Sequence, residues 1–177
     1  MEPENRVIIW NSYFCEAYNF AKKLKDDKSL EGPELDGGTL PFEKHNALMT
    51  LLHLALAIDA RANHLLHEMK EERIIDINLR NAIKNVRGEY RWALLPILVG
   101  KEKISFDKEP HNAIREIYKL RNSFVHLRYE DVKFIEKIPS KRKTLRYYNC
   151  FIVAMEDMNV ILGRAESGRT YVKNLII

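Results

Sequence analysis

"FEKHNALMTLLHLALAIDARANHLLHEM", residues 42–69, is apolar on almost every side through its middle. Pro41 and Glu43 suit a helix start beside Thr39. A helix of this composition must be surrounded by other helices. The stretch therefore predicts an all-α fold: a single up-and-down helical bundle of about five helices, one domain over residues 1–177. Upstream, Val7, Trp10, Phe14, Tyr18 and Ala21 recur at spacings of three and four, which predicts a helix over 3–26. Gly32, Pro33, Gly37 and Gly38 mark a loop after it.

Downstream, residues 73–87 admit a short helix with Gly88 as its break. "EYRWALLPILVG", residues 89–100, predicts a helix kinked or ended near Pro96 and closed by Gly100. Asp107 or Pro110 starts the next helix, which runs to about Tyr129. "DVKFIEKIPSKRKT", residues 131–144, reads as a charged connection. The last long helix is "LRYYNCFIVAMEDMNVILGR", residues 145–164, with Tyr148, Phe151, Ile152, Met155, Asn159 and Leu162 on one face. The apolar tail beyond residue 167 suits either an extended segment or a docking strand. No strand alternation and no repeat of 20–50 residues interrupts this pattern.

Composition narrows the setting. The 177 residues carry 46% hydrophobic and 31% charged side chains, which is globular rather than disordered usage. Cys15 and Cys150 form no paired motif and read as reduced core thiols of a cytoplasmic protein. "LLHLALAI", residues 51–58, is too short to span a bilayer, so no membrane is expected. A net charge of +4 allows an anionic partner, nucleic acid or nucleotide, without requiring one.

"KLRNSFVHLRY", residues 119–129, breaks the usual pattern. With Ile114 at zero on a helical wheel, Ile117, Phe124 and Val125 define a core face, and Arg121 falls near its centre at about 340°. Asn122 and His126 sit together on the flank at about 80° and 120°. Burying an unpaired guanidinium costs several kcal/mol, on the order of a fold's whole stability margin. Arg121 therefore pairs internally, with Asp59 as first candidate, lines a groove for an anion, or snorkels to water. Arg128 falls on the same face, close enough to the helix end to snorkel.

The three polar residues suit one chemistry. Arginine binds phosphate bidentately and stabilises charge on a phosphorane. Histidine exchanges protons near neutral pH. Asn122 can orient a phosphate oxygen or the imidazole. RNA supplies its own nucleophile, the 2′-hydroxyl, so no metal and no cofactor is needed. One histidine cannot serve as both base and acid, and a second copy from a partner subunit would answer that.

Arg121-Asn122-Ser123-Phe124-Val125-His126 resembles the R-x4–6-H signature of HEPN-domain proteins, with a polar residue directly after the arginine. "YRWALLPILVG" resembles the family's helix upstream of the signature. "ALMTLLHLALAIDARANHLL" is similar to its central helix, where an acidic residue is followed four positions on by Asn, here Asp59 and Asn63. The three segments keep the family order and cover residues 45–130. The resemblance implies a helical bundle, a homodimer with the two motifs facing across a cleft, and metal-independent endoribonuclease activity. Arg121 and His126 would be catalytic, Asn122 supportive, and Asp59 and Asn63 structural or supporting. Phage defence, or a toxin with a cognate antitoxin protein, is the setting it implies. In toxins paired with a nucleotidyltransferase antitoxin, Tyr stands two residues after the His; here Arg128 stands there and Tyr129 follows. Other HEPN proteins are noncatalytic modules that bind nucleotide, RNA or a partner protein.

Three further features compete for a role. "KIPSKRKTLR", residues 137–146, offers Lys141, Arg142, Lys143 and Arg146 for gripping an RNA backbone, or is simply a solvated loop. Tyr147 and Tyr148 beside it could stack bases, although Tyr148 fits the core better. His53, His64 and His67 lie on the central helix, with no further ligands to make a metal site. A second R-x4–6-H match runs from Arg61 to His67. No P-loop, G-x-G-x-x-G, H-E-x-x-H or G-x-S-x-G occurs.

Overall fold

The computed structural model describes residues 9–27, 40–125 and 134–164. Within them all regular secondary structure is helical, with no strand: α1 (Ile9–Asp26), α2 (Phe42–Glu71), α3 (Ile77–Lys84), α4 (Gly88–Leu94), a 3₁₀ turn (Leu95–Val99), α5 (His111–Val125), α6 (Phe134–Lys137) and α7 (Lys141–Ile161). The all-α expectation holds. The count differs from about five because three of these seven α-helices have eight residues or fewer. Helices this short carry too few turns for a hydrophobic period to be read.

α2 is the central helix, as its composition requires. Twelve of its residues are buried, from Asn46 to Met69, and they point to several sides. α1 packs most extensively on it, through Phe14, Ala17, Ala21 and Leu24, spaced at three and four. α7 closes the other side: Tyr148 and Phe151 stack on Phe14 with ring centroids 5.9 and 5.5 Å away. Trp10 meets Arg61, while Asp27 and Glu43 both meet Lys141, so α1 runs antiparallel to α2. α7 runs parallel to α2, starting at Glu43 and ending where Arg164 pairs with Glu68 and Glu72.

Local signals account for most of the boundaries. The Asp76 carboxylate caps α3, accepting from the Leu79 amide at 2.7 Å. Pro96 turns the end of α4 into the 3₁₀ segment, and Gly100, at φ 72°, ends it in the left-handed region. Two boundaries differ from expectation. Gly88 is the first residue of α4 rather than a break. The expected charged connection holds α6 and the first turn of α7. That first turn is capped from far away in sequence: Glu43 Oε1 accepts from the Lys141 amide at 2.9 Å.

The cysteines are both free, but Cys15 is exposed rather than in the core. Burial, reinforced by the Glu109 carboxylate, pushes the Cys150 thiol up to about 11, so it stays protonated and unreactive. Among the described residues no helix is long and apolar enough to cross a membrane.

Candidate functional site

α5 carries the candidate site. Its buried stripe is Ala113, Ile114, Ile117 and Tyr118, with Phe124 partly buried against the same core. Arg121 follows on that stripe one turn after Tyr118 and is half-buried. Its Nη1 donates to Asn122 Oδ1 at 3.0 Å. Arg121 is thus on the core-facing side of α5 but not fully buried among the described residues. Arg121 and Asn122 are brought together. His126, Arg128 and Tyr129 lie outside the described residues, as does the tail beyond residue 167.

Asp59 does not pair with Arg121. Its Oδ1 accepts from the Tyr118 hydroxyl at 2.6 Å, and Arg91 Nη1 lies 3.7 Å from the same oxygen. Arg91 is the hub of this corner. Nη1 also donates to Asn63 Oδ1 at 2.9 Å, and Nη2 to the carbonyls of Lys84 at 2.8 Å and Val86 at 3.0 Å, at the end of α3. One guanidinium thus ties α2, α3 and α4 together, and the Tyr118 bond adds α5. Asp59 was the acid expected to neutralise Arg121. Arg91 claims it, reaching both Asp59 and Asn63, one turn apart on α2. Among the described residues no carboxylate forms a salt bridge with Arg121.

Burial and the Asp59 carboxylate together hold the Tyr118 hydroxyl well above the usual tyrosine range, so it remains a donor. Gly88 roofs this bond. A methyl at position 88 would lie 2.5 Å from Asp59 Oδ1 and closer still to the Tyr118 hydroxyl. Arg91, Tyr118 and Gly88 are the residues that sequence reasoning passed over. The available signal was Arg91 in the apolar run "YRWALL", the same anomaly that drew attention to Arg121.

The basic cluster is helical, on the first turns of α7, rather than a loop. Much of it is already engaged. Lys141 Nζ donates to the Asp27 carbonyl at 2.6 Å, Arg146 pairs with Glu109 at 2.6 Å, and Lys143 sits over the Tyr147 ring. Arg142 and Lys143 remain exposed. Tyr147 and Tyr148 are both buried, so neither offers a stacking face. Lys141 contacts Glu43 at one end of α2, and Tyr118 contacts Asp59 about 24 Å further along it.

The second arginine–histidine match is structural. Arg61 Nη2 donates to Asn159 Oδ1 at 2.9 Å, and its guanidinium lies 5.1 Å from the Trp10 ring centroid. His64 pairs with Glu68 at 3.1 Å, and Glu68 also holds Arg164. His53 bonds the Met49 carbonyl and stacks on Phe20. Among the described residues no three His, Cys, Asp or Glu side chains cluster as a metal site. Comparison of the chain with family models, curated proteins and solved structures gives no match in any of the three.

Proposed function

We propose that the protein is a metal-independent endoribonuclease of HEPN type, acting through a composite site in a homodimer. The observation that carries this reading is Arg121: a half-buried guanidinium on a core-facing stripe, steadied by Asn122, with its expected acid already claimed by Tyr118 and Arg91. A charge so placed, with no carboxylate partner among the described residues, suits a phosphate. In this reading Arg121 binds the scissile phosphate and stabilises the phosphorane. Asn122 orients the guanidinium. His126, on the following turn in sequence, moves the 2′-hydroxyl proton, and the partner's copy serves the leaving oxygen. Asp59 and Asn63 support the site from behind through Arg91 and Tyr118. Arg142 and Lys143 hold flanking RNA.

Purified protein is incubated with single-stranded RNA in EDTA, beside Arg121→Ala and His126→Ala. The expected outcome is cleavage that survives EDTA, spares DNA and falls roughly 100-fold or more in both variants. Equal activity in His126→Ala would assign the cleavage to another site or a contaminant. RNA binding without cleavage would replace the proposal with a noncatalytic binding module. Phage defence and an antitoxin partner follow as the setting of such an activity, tested by whether induced expression arrests growth only when Arg121 is intact.

A further inference from the structure

The bond between Tyr118 and Asp59 is placed where it can govern Arg121. Tyr118 precedes Arg121 by three residues and Asn122 by four, so all three lie along one side of α5. Fixing the Tyr118 hydroxyl fixes the rotation of α5 about its axis and its height along α2. Few other polar contacts of the described residues do this for α5. His111 Nε2 stands 3.7 Å from Asp157 at the far end of the helix, and the remaining α5 side-chain bonds run to α5 itself.

The anchor beneath that bond is multiply bonded. Arg91 is 11% exposed and reaches two side chains of α2 and two carbonyls at the end of α3. It leaves Asp59 Oδ1 little freedom to follow a moving tyrosine. From above, Gly88 lies so close that a Cβ there would clash with both the hydroxyl and the carboxylate. A hydroxyl bonded to a carboxylate that an arginine flanks, beneath a glycine with no room for a methyl, is more elaborate than packing a helix requires.

We infer that Tyr118, clamped by Asp59, Arg91 and the Gly88 backbone, is a positioning residue that sets the reach of the Arg121 guanidinium toward the RNA phosphate. The inference rests on the nuclease reading for its consequence, but its physical content is independent of that reading. Misplacing a catalytic group by about 1 Å costs up to about 100-fold in rate. The loss belongs in kcat rather than KM, because RNA is held by other groups as well.

Two variants perturb the clamp in opposite ways. Tyr118→Phe deletes the hydroxyl and keeps the ring in the core. Gly88→Ala keeps every polar group and pushes the pair apart. Tyr148→Phe, which removes a buried hydroxyl with no partner among the described residues, is the control. Cleavage of a fluorescein-labelled single-stranded RNA in EDTA is followed, together with the ¹⁵N Nε–Hε signal of Arg121, assigned by its loss in Arg121→Lys. The expected result for Tyr118→Phe is a fall in kcat of roughly 10-fold with KM within about twofold, and a shifted or faster-exchanging Arg121 signal. Gly88→Ala moves the same two readouts in the same direction. The inference is overturned if Tyr118→Phe matches Tyr148→Phe in the Arg121 signal. It is also overturned if, beside an active wild type, Tyr118→Phe loses binding rather than kcat. A wild type that cleaves no RNA refutes the nuclease reading alone, and the Arg121 signal then decides the clamp by itself.

Discussion

Arg61 and Arg121 present the same sequence feature, an arginine on an apolar helix with a histidine five or six residues on, and the structure treats the two arginines differently. Arg61 is built into the junction of three helices: the Trp10 ring of α1 lies over it and Asn159 of α7 accepts its bond. Burial pulls its guanidinium down from the usual arginine range, partly offset by the nearby Glu68 charge. Arg121 instead bonds the next residue of its own helix. A guanidinium satisfied across helices is architecture. One satisfied by its neighbour keeps donors for something else, since arginine has five.

That contrast is broken most directly by activity. Arg121→Ala is expected to lose roughly 100-fold or more of RNA cleavage, while Arg61→Ala stays within about threefold per folded molecule. If Arg61→Ala were the inactive one, the two roles would be exchanged. Melting should rank them in reverse. Arg61→Ala forfeits a hydrogen bond and a ring contact, together about 2 kcal/mol, and a melting temperature lower by about 5 °C. Arg121→Ala should melt within about 2 °C of wild type. Equal destabilisation would make Arg121 a structural residue after all.

The smallest expected effect sharpens the same comparison through pH. Burial raises the Glu68 carboxyl, but its bond to His64 and the charges of His64, Arg164 and Arg61 outweigh that and leave it below the usual carboxylate range. A depressed carboxyl contributes stability above its unfolded pKa and loses it as pH falls through the folded value. Wild type should therefore be the more stable at pH 7, and Glu68→Gln should converge with it near pH 3. Parallel pH–stability curves would mean that the network around Arg61 is electrostatically idle.

The long helices were legible because each carries enough turns for its period to show. α2 announced itself by being apolar all round, and the Pro96–Gly100 exit followed from backbone chemistry alone. The first turn of α7 was hidden because its cap comes from Glu43, far away in sequence. Gly88 was misread because glycine punctuates helices more often than it opens them, and its reason for being glycine lies on α2 and α5. Arg121 was legible as an anomaly. Its partner was not: the Asp59 pairing went to Arg91, and no periodicity distinguishes two arginines competing for one carboxylate.

Gly88 also has a bearing on large mutational surveys. Every other amino acid brings at least a methyl group, and the space for one is already occupied by phenol and carboxylate. In a saturation library selected for any property that depends on intact α5, substitutions at this site should be depleted as severely as those at a reacting group. A map of intolerance laid over this chain would therefore highlight a residue that donates no atom to any bond made or broken.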